Sequence, residues 1–209
     1  MQEAWAIREI NDEVIKISKQ FGVKNIIHYG GPGITENGEP IDNFNKYKDL
    51  NEKLKSENLN LVGVESGFFI DPFYWDVVTA GPKRDELIND LIIQIKDMAR
   101  AGVQMLGYTW MPLGPIRTDP KIIRGGSYGT AFDIKSNNLE LAGKNSIKIE
   151  HSNSFPINDI NFLTEEMLWQ NLEYWIKAVT PVAEEEGIRL GIHPDDPPVD
   201  NLGGVPRIM

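Results

Sequence analysis

Cysteine is absent from the 209 residues, histidine occurs three times, and no apolar run approaches the roughly 18 residues that a membrane-spanning helix needs. Without cysteine there are no disulfides and no thiolate nucleophile, a composition compatible with a reducing compartment. Basic residues are also in deficit, 21 against 31 acidic ones, for a formal charge of −10. That charge opposes the long-range attraction that nucleic acid or an anionic bilayer requires, so neither partner is expected. Glu3, Arg8 and Glu9 interrupt the N-terminal region and leave no signal-peptide apolar segment, which points to the cytoplasm. Hydrophobic residues make up 41%, enough for a sizeable core.

What is present is a recurring unit, a helix-period segment closed by glycine and followed by a short apolar run. The first is AWAIREINDEVIKISKQFG, with Ile7, Ile10, Val14, Ile17 and Phe21 near helical spacing and Gly22 as the stop, then VKNIIHYGG. NKYKDLNEKLKSEN precedes LNLVGVESG. In the third, Pro82 opens a stripe of Leu87, Ile88, Leu91, Ile92, Ile95, Met98 and Ala99, Gly102 ends it, and VQMLGYTWMP follows. The fourth has Thr164 as N-cap with Glu165 and Glu166 in the first turn, passes through Pro181, where a kink is expected, and stops at Gly187 before IRLGIHP.

Repeated helix-then-strand units predict parallel α/β structure, because parallel strands need a crossover and the crossover is usually a helix. The glycines at 30, 31, 33 and 38 have the wrong spacing for a dinucleotide-binding turn, which disfavours a doubly wound nucleotide fold. His28, Glu65, Tyr108, Trp110 and His193 all fall toward the C-terminal ends of expected strands, where barrel active sites are built. The expectation is therefore a partial (β/α)8 TIM barrel of about four βα units, with parallel strands near 25–29, 61–66, 105–110 and 189–193. A full barrel takes about 250 residues. The chain reads as starting directly on a helix and ending in a loop, VDNLGGVPRIM. It is thus expected to be a single domain over 1–209, the N-terminal half to two-thirds of a barrel without its initial strand. Unclosed edges of that kind predict self-association as a homo-oligomer.

Residues 113–161 show no clean periodicity and follow the third strand, a length at which loops tend to be lids or binding loops. Arg117, Asp119, Arg124 and Asp133 lie in it, and a guanidinium offers a planar fork to a carboxylate. The stretch RLGIHPDDPP, 189–198, ends a strand on the last histidine and sets two carboxylates between prolines. An imidazole at a strand end is held by sheet geometry, which suits His193 as a metal ligand. The prolines restrict the turn, so Asp195 and Asp196 are held near the same mouth as candidate catalytic carboxylates. An Asp-rich turn capping the strand is the structural alternative.

GIRLGIHPDDPP followed by GGVPRI resembles the signature of the mannonate dehydratases, barrel enzymes of the xylose-isomerase-like group. VGVES at 62–66, YTWMP at 108–112, RTD at 117–119, AFD at 131–133 and VTPVAEEEGIRL at 179–190 follow in the family's order, so the resemblance covers about the second strand onward. It implies a hydro-lyase that dehydrates mannonate to 2-keto-3-deoxygluconate in hexuronate breakdown, with manganese or ferrous iron (Mn2+ or Fe2+) as cofactor. By the same resemblance His193 is a metal ligand, and the family's other ligands, a cysteine, a second histidine and an aspartate, lie beyond residue 209. The region around IIHYGGPG departs from the family pattern and gives His28 no role by resemblance.

Removing a proton next to a carboxylate builds negative charge that a divalent cation neutralises, and in so acidic a protein an anionic sugar acid needs local positive charge. Arg117 and Arg207 are candidates to supply it, with Trp110, Glu65 and His28 as further substrate-binding candidates. Two other readings share these residues: a metal-dependent sugar isomerase or epimerase on the same barrel, and a non-catalytic half-barrel that binds a ligand or partner.

Overall fold

The computed structural model describes residues 3–30, 42–66, 69, 72–133, 135, 162–202 and 205–209. Its centre is a parallel sheet of five strands: β1 (Ala4–Ile7), β2 (Asn25–Tyr29), β3 (Asn60–Ser66), β4 (Met105–Thr109) and β7 (Arg189–His193). The strands lie in chain order, each hydrogen-bonded in parallel to the next. This is the arrangement of an arc of a (β/α)8 barrel, and the four expected strands are all present.

The fifth strand is a correction. AWAI, expected to open the first helix, is β1, and Ala4 to Ile7 pair with Asn25 to His28. Ile7 belongs to that strand, and helix α1 spans Asp12–Phe21 with Asn11 as its cap, accepting from the Val14 amide at 3.0 Å. The inward residues of α1 are Ile15 and Ser18, while Phe21 is 78% exposed. An apolar run of only four residues fits both periods, and tertiary pairing with β2 decides it. Gly22 closes α1 at φ 72°, a left-handed conformation that lets its amide and that of Val23 reach back to Lys19 and Ser18.

The remaining helices follow their stripes. Helix α2 (Asn43–Ser56) is capped by Asp42, and a short α3 (Trp75–Thr79) precedes α4 (Arg84–Arg100), whose Leu87, Ile88, Leu91, Ile95 and Met98 are buried. Helix α5 (Glu165–Glu185) is capped by Thr164, which accepts from the Met167 amide, and it continues past Pro181. Leu168, Leu172, Trp175 and Val179 of α5 face the sheet. An aromatic cluster joins α5 to β4: the Trp175 ring lies 4.6 Å from Tyr108, 5.0 Å from Phe69 and 6.0 Å from Trp110. The core thus sits between sheet and helices, on one face of the sheet.

The 113–161 segment is not uniformly irregular. Strands β5 (Thr118–Ile122) and β6 (Tyr128–Ala131) form an antiparallel hairpin with an exposed tip. Residues 134 and 136–161 lie outside the described residues. Likewise VDNLGGVPRIM is not a plain loop: β8 (Asn201–Leu202) and β9 (Val205–Pro206) pair antiparallel, with Val205 and Ile208 buried.

Candidate active site

Strand residues alternate between two faces, and in a parallel pair register partners share a face. His28 meets the Tyr47 ring of α2 edge-on at 6.4 Å, and Tyr108 meets Trp175 of α5. Their positions, with Ile26, Val64, Leu106 and Leu190, therefore face the helices. The other face is the concave, barrel-inner one. There the register aligns Tyr29 with Glu65, Glu65 with Gly107, Gly107 with Gly191, and Thr109 with His193. Arg8, one residue past the outer-facing Ile7, joins them, its guanidinium 4.9 Å over the Tyr29 ring. The C-terminal ends of the five strands thus present Arg8, Tyr29, Glu65, Thr109 and His193 on one face. A floor of glycines at 63, 107 and 191 lies beneath them.

Two expected substrate contacts are on the wrong face. His28 packs against α2, where burial and then the nearby Lys46 charge hold its pKa below the usual value. Trp110 is 1% exposed and lies 4.5 Å from Phe69, a core residue between sheet and helix. Both are displaced from the inner face by a single step of the alternation.

Glu65 and His193 are on the inner face as expected. Glu65 Oε1 is buried and has no hydrogen-bond partner among the described residues, as is true of Thr109 Oγ1. Burial, then the Glu65 carboxylate, push the Tyr29 hydroxyl above its usual range, with Arg8 opposing. His193 is exposed, and its Nδ1 lies 2.6 Å from the Pro194 carbonyl oxygen. Nδ1 therefore carries the proton and donates it there, which leaves the Nε2 lone pair available to a metal ion. The described residues contain no group of three His, Cys, Asp or Glu side chains able to hold a metal. One imidazole suits a metal, but the donor set in these residues is not complete.

The two carboxylates after His193 do different things. Asp195 is 3% exposed, its Oδ1 2.8 Å from Arg207 Nη2 and its Oδ2 accepting from the Ile208 amide at 2.9 Å. The Oδ1 contact is an ion pair without good hydrogen-bond alignment. Burial pushes the Asp195 carboxyl up to about 6, against the pull of Arg207. Arg207 also donates to the Asp196 carbonyl at 2.7 Å. This pair is therefore a buried pin joining 205–208 to the turn after β7, which corrects the expectation of Asp195 as a catalytic group and Arg207 as a substrate contact. Asp196 is partly exposed and pairs with Arg117, so the hairpin β5–β6 is anchored to the same turn. Ile116 adds a backbone bond, its amide to the Asp196 carbonyl at 3.1 Å. Arg117 and Asp196 stay at the mouth as a charge-paired rim.

Arg8, Tyr29 and Thr109 were missed at the sequence level. The signal that finds them is parity: counted in twos from His193 and Glu65, Thr109 and Tyr29 fall on the same face. Arg8 was hidden by the helical reading of its segment.

A parallel arc whose polar inner face gathers at the strands' C-terminal ends defines a barrel-type enzyme scaffold. The family model described as D-mannonate dehydratase (UxuA) matches residues 4–209, and the chain belongs to that family. A mannonate dehydratase of Streptococcus pneumoniae (strain 70585) is 34% identical over 181 residues, covering 81% of this chain and 47% of that protein. One of Streptococcus suis (strain 05ZYH33) is 33% identical with the same coverage. The crystal structure of mannonate dehydratase from Streptococcus suis serotype 2 superposes with a TM-score of 0.76 at 26% identity, over 99% of this chain and 55% of that one. The chain spans about half the length of the curated relatives it matches. The family match begins at residue 4, on β1, so the N-terminal strand belongs to it as well.

Proposed function

We propose that the protein dehydrates D-mannonate to 2-keto-3-deoxygluconate, as a cytoplasmic step of hexuronate breakdown, with Mn2+ or Fe2+ as cofactor. Family membership supports the reaction class, and the observation that carries the site is His193 on the inner face with Nε2 available. In this reaction the C2 proton and the C3 hydroxyl leave as water, and the resulting enol becomes the 2-keto acid. His193, through Nε2, would contribute one ligand to a divalent cation, which would supply positive charge where negative charge develops as the C2 proton is removed. Glu65 lies on the same face as an acceptor for a substrate hydroxyl, and the Arg117–Asp196 pair closes the rim above His193. No helix among the described residues is long and apolar enough to cross a membrane.

Incubation of the protein with D-mannonate and either Mn2+ or Fe2+, followed by product analysis, tests this. The expected product is 2-keto-3-deoxygluconate. A product of unchanged composition would make it an isomerase or epimerase, and unaltered substrate would favour a binding role.

A further inference from the structure

We propose that Arg8, Tyr29 and Glu65 form the recognition arm for an open-chain sugar acid, with Arg8 taking the carboxylate and Glu65 a hydroxyl. The substrate class rests on the function proposed above; the arm itself rests on geometry. Arg117 and Arg207 each face a carboxylate of the 194–198 turn, Asp196 and Asp195. Arg8 is exposed and has no ion pair among the described residues, yet it is not loose: its guanidinium lies over the Tyr29 ring at 4.9 Å. The ring contact and a hydrogen bond to the Tyr29 hydroxyl hold the guanidinium in place, and its five N–H donors exceed those contacts, leaving donors for a carboxylate.

Glu65 completes the arm. It is the register partner of Tyr29, and its buried Oε1 lacks a donor among the described residues. A buried acceptor of this kind calls for a hydrogen-bond donor, and a polyol hydroxyl is one. Beside it Gly107 leaves the floor low, since a Cβ there would stand 3.3 Å from Glu65 Cγ.

Arg8, at the end of β1, lies opposite His193, with Tyr29 and Glu65 on the strands between. With about 4.8 Å per strand and a tilt of about 36°, an eight-stranded ring is about 15 Å across, and its first and fifth strands face each other. β1 and β7 are the first and fifth strands of this sheet. Side chains reaching inward from both sides narrow that span, so a sugar acid with its carboxylate on Arg8 runs with its C2 and C3 toward His193.

Calorimetric titration of the whole chain with D-mannonate and with D-mannitol, which has hydroxymethyl in place of the carboxylate, tests the arm. Wild type is expected to bind D-mannonate more tightly. Arg8→Met should weaken D-mannonate binding about ten-fold or more and leave D-mannitol unchanged, with Arg8→Lys recovering part of the loss. Glu65→Gln should weaken both ligands. Melting curves identify any variant that misfolds, and Tyr29→Phe, which keeps the ring under Arg8, should retain the preference for the acid. Unaltered D-mannonate binding in Arg8→Met, an equal loss for both ligands, or wild type that binds neither would overturn the arm. Binding through Arg8 with no dehydration would refute the dehydratase reading alone; dehydration with unchanged KM in Arg8→Met would refute the arm alone.

Discussion

His28 and Tyr29 are consecutive residues of β2 whose side chains stand on opposite faces of the sheet, His28 against Tyr47 of α2 and Tyr29 under the guanidinium of Arg8. One belongs to the packing layer and the other to the inner face, so substitutions at the two positions should affect different properties.

For His28 the property is stability against pH. Burial disfavours the imidazolium, so the folded pKa lies below the unfolded value of 6.5. The stability it contributes is complete above that value and is lost as pH falls through the folded pKa. Asp195, with its carboxyl pushed up to about 6, gains stability as pH falls through the same range, so the His28 contribution is read as a difference: between pH 7.5 and pH 5 the melting temperature of His28→Gln should shift upward relative to wild type. An identical profile in the variant would show that other groups set it.

The Asp195–Arg207 pair and the Arg117–Asp196 pair lie on one turn but differ in burial. Asp195→Ala leaves Arg207 charged at 0% side-chain exposure, and breaking a buried pair costs about 3–5 kcal/mol. Asp196→Ala acts on a pair 36% and 30% exposed, where about 1 kcal/mol or less is at stake. Denaturant unfolding of the two variants should separate them clearly, and equal losses would contradict the buried-pin assignment.

His193→Ala should reduce Mn2+ or Fe2+ uptake, measured by mass spectrometry of the metal content, and leave the metal-free melting curve unchanged, because the ring is exposed and, among the described residues, bonds only the Pro194 carbonyl next to it. Full metal content with a lowered melting temperature would instead mark it as structural.

The glycine floor allows a graded test. A Cβ at Gly191 meets no atom within 4 Å, whereas one at Gly107 meets Glu65 at 3.3 Å. Gly191→Ala should melt like wild type. Gly107→Ala should weaken D-mannonate binding by displacing Glu65, with little change in melting; titration and calorimetry check both.

Trp110→Ala should behave as a core truncation, losing about 3–5 kcal/mol by denaturant unfolding. Its indole is enclosed by Phe69 and Trp175.

The order of the parallel strands was legible because glycine stops and helix stripes survive in the sequence, as with Leu87 to Met98 ending at Gly102. β1 was not, since Ile7, Ile10 and Val14 continue into α1 with helix-like spacing and only pairing with β2 reveals the strand. His193 and Glu65, expected from their place at strand ends, do lie on the inner face. His28 and Trp110 were taken for site residues by the same criterion, which says how far along a strand a residue lies but not which way it points. Asp195 and Arg207 carry charges that look functional in sequence; only the 2.8 Å contact inside a buried turn shows that they hold each other.

The alternation along β2, β4 and β7 divides each strand into two interleaved texts, one written for packing and one for chemistry. Ile26, Leu106 and Leu190 belong to the first; Tyr29, Gly107 and His193 to the second. Changes in one text leave the other readable, so a lineage could revise what the inner face binds through every second residue while its helices stay seated on the rest.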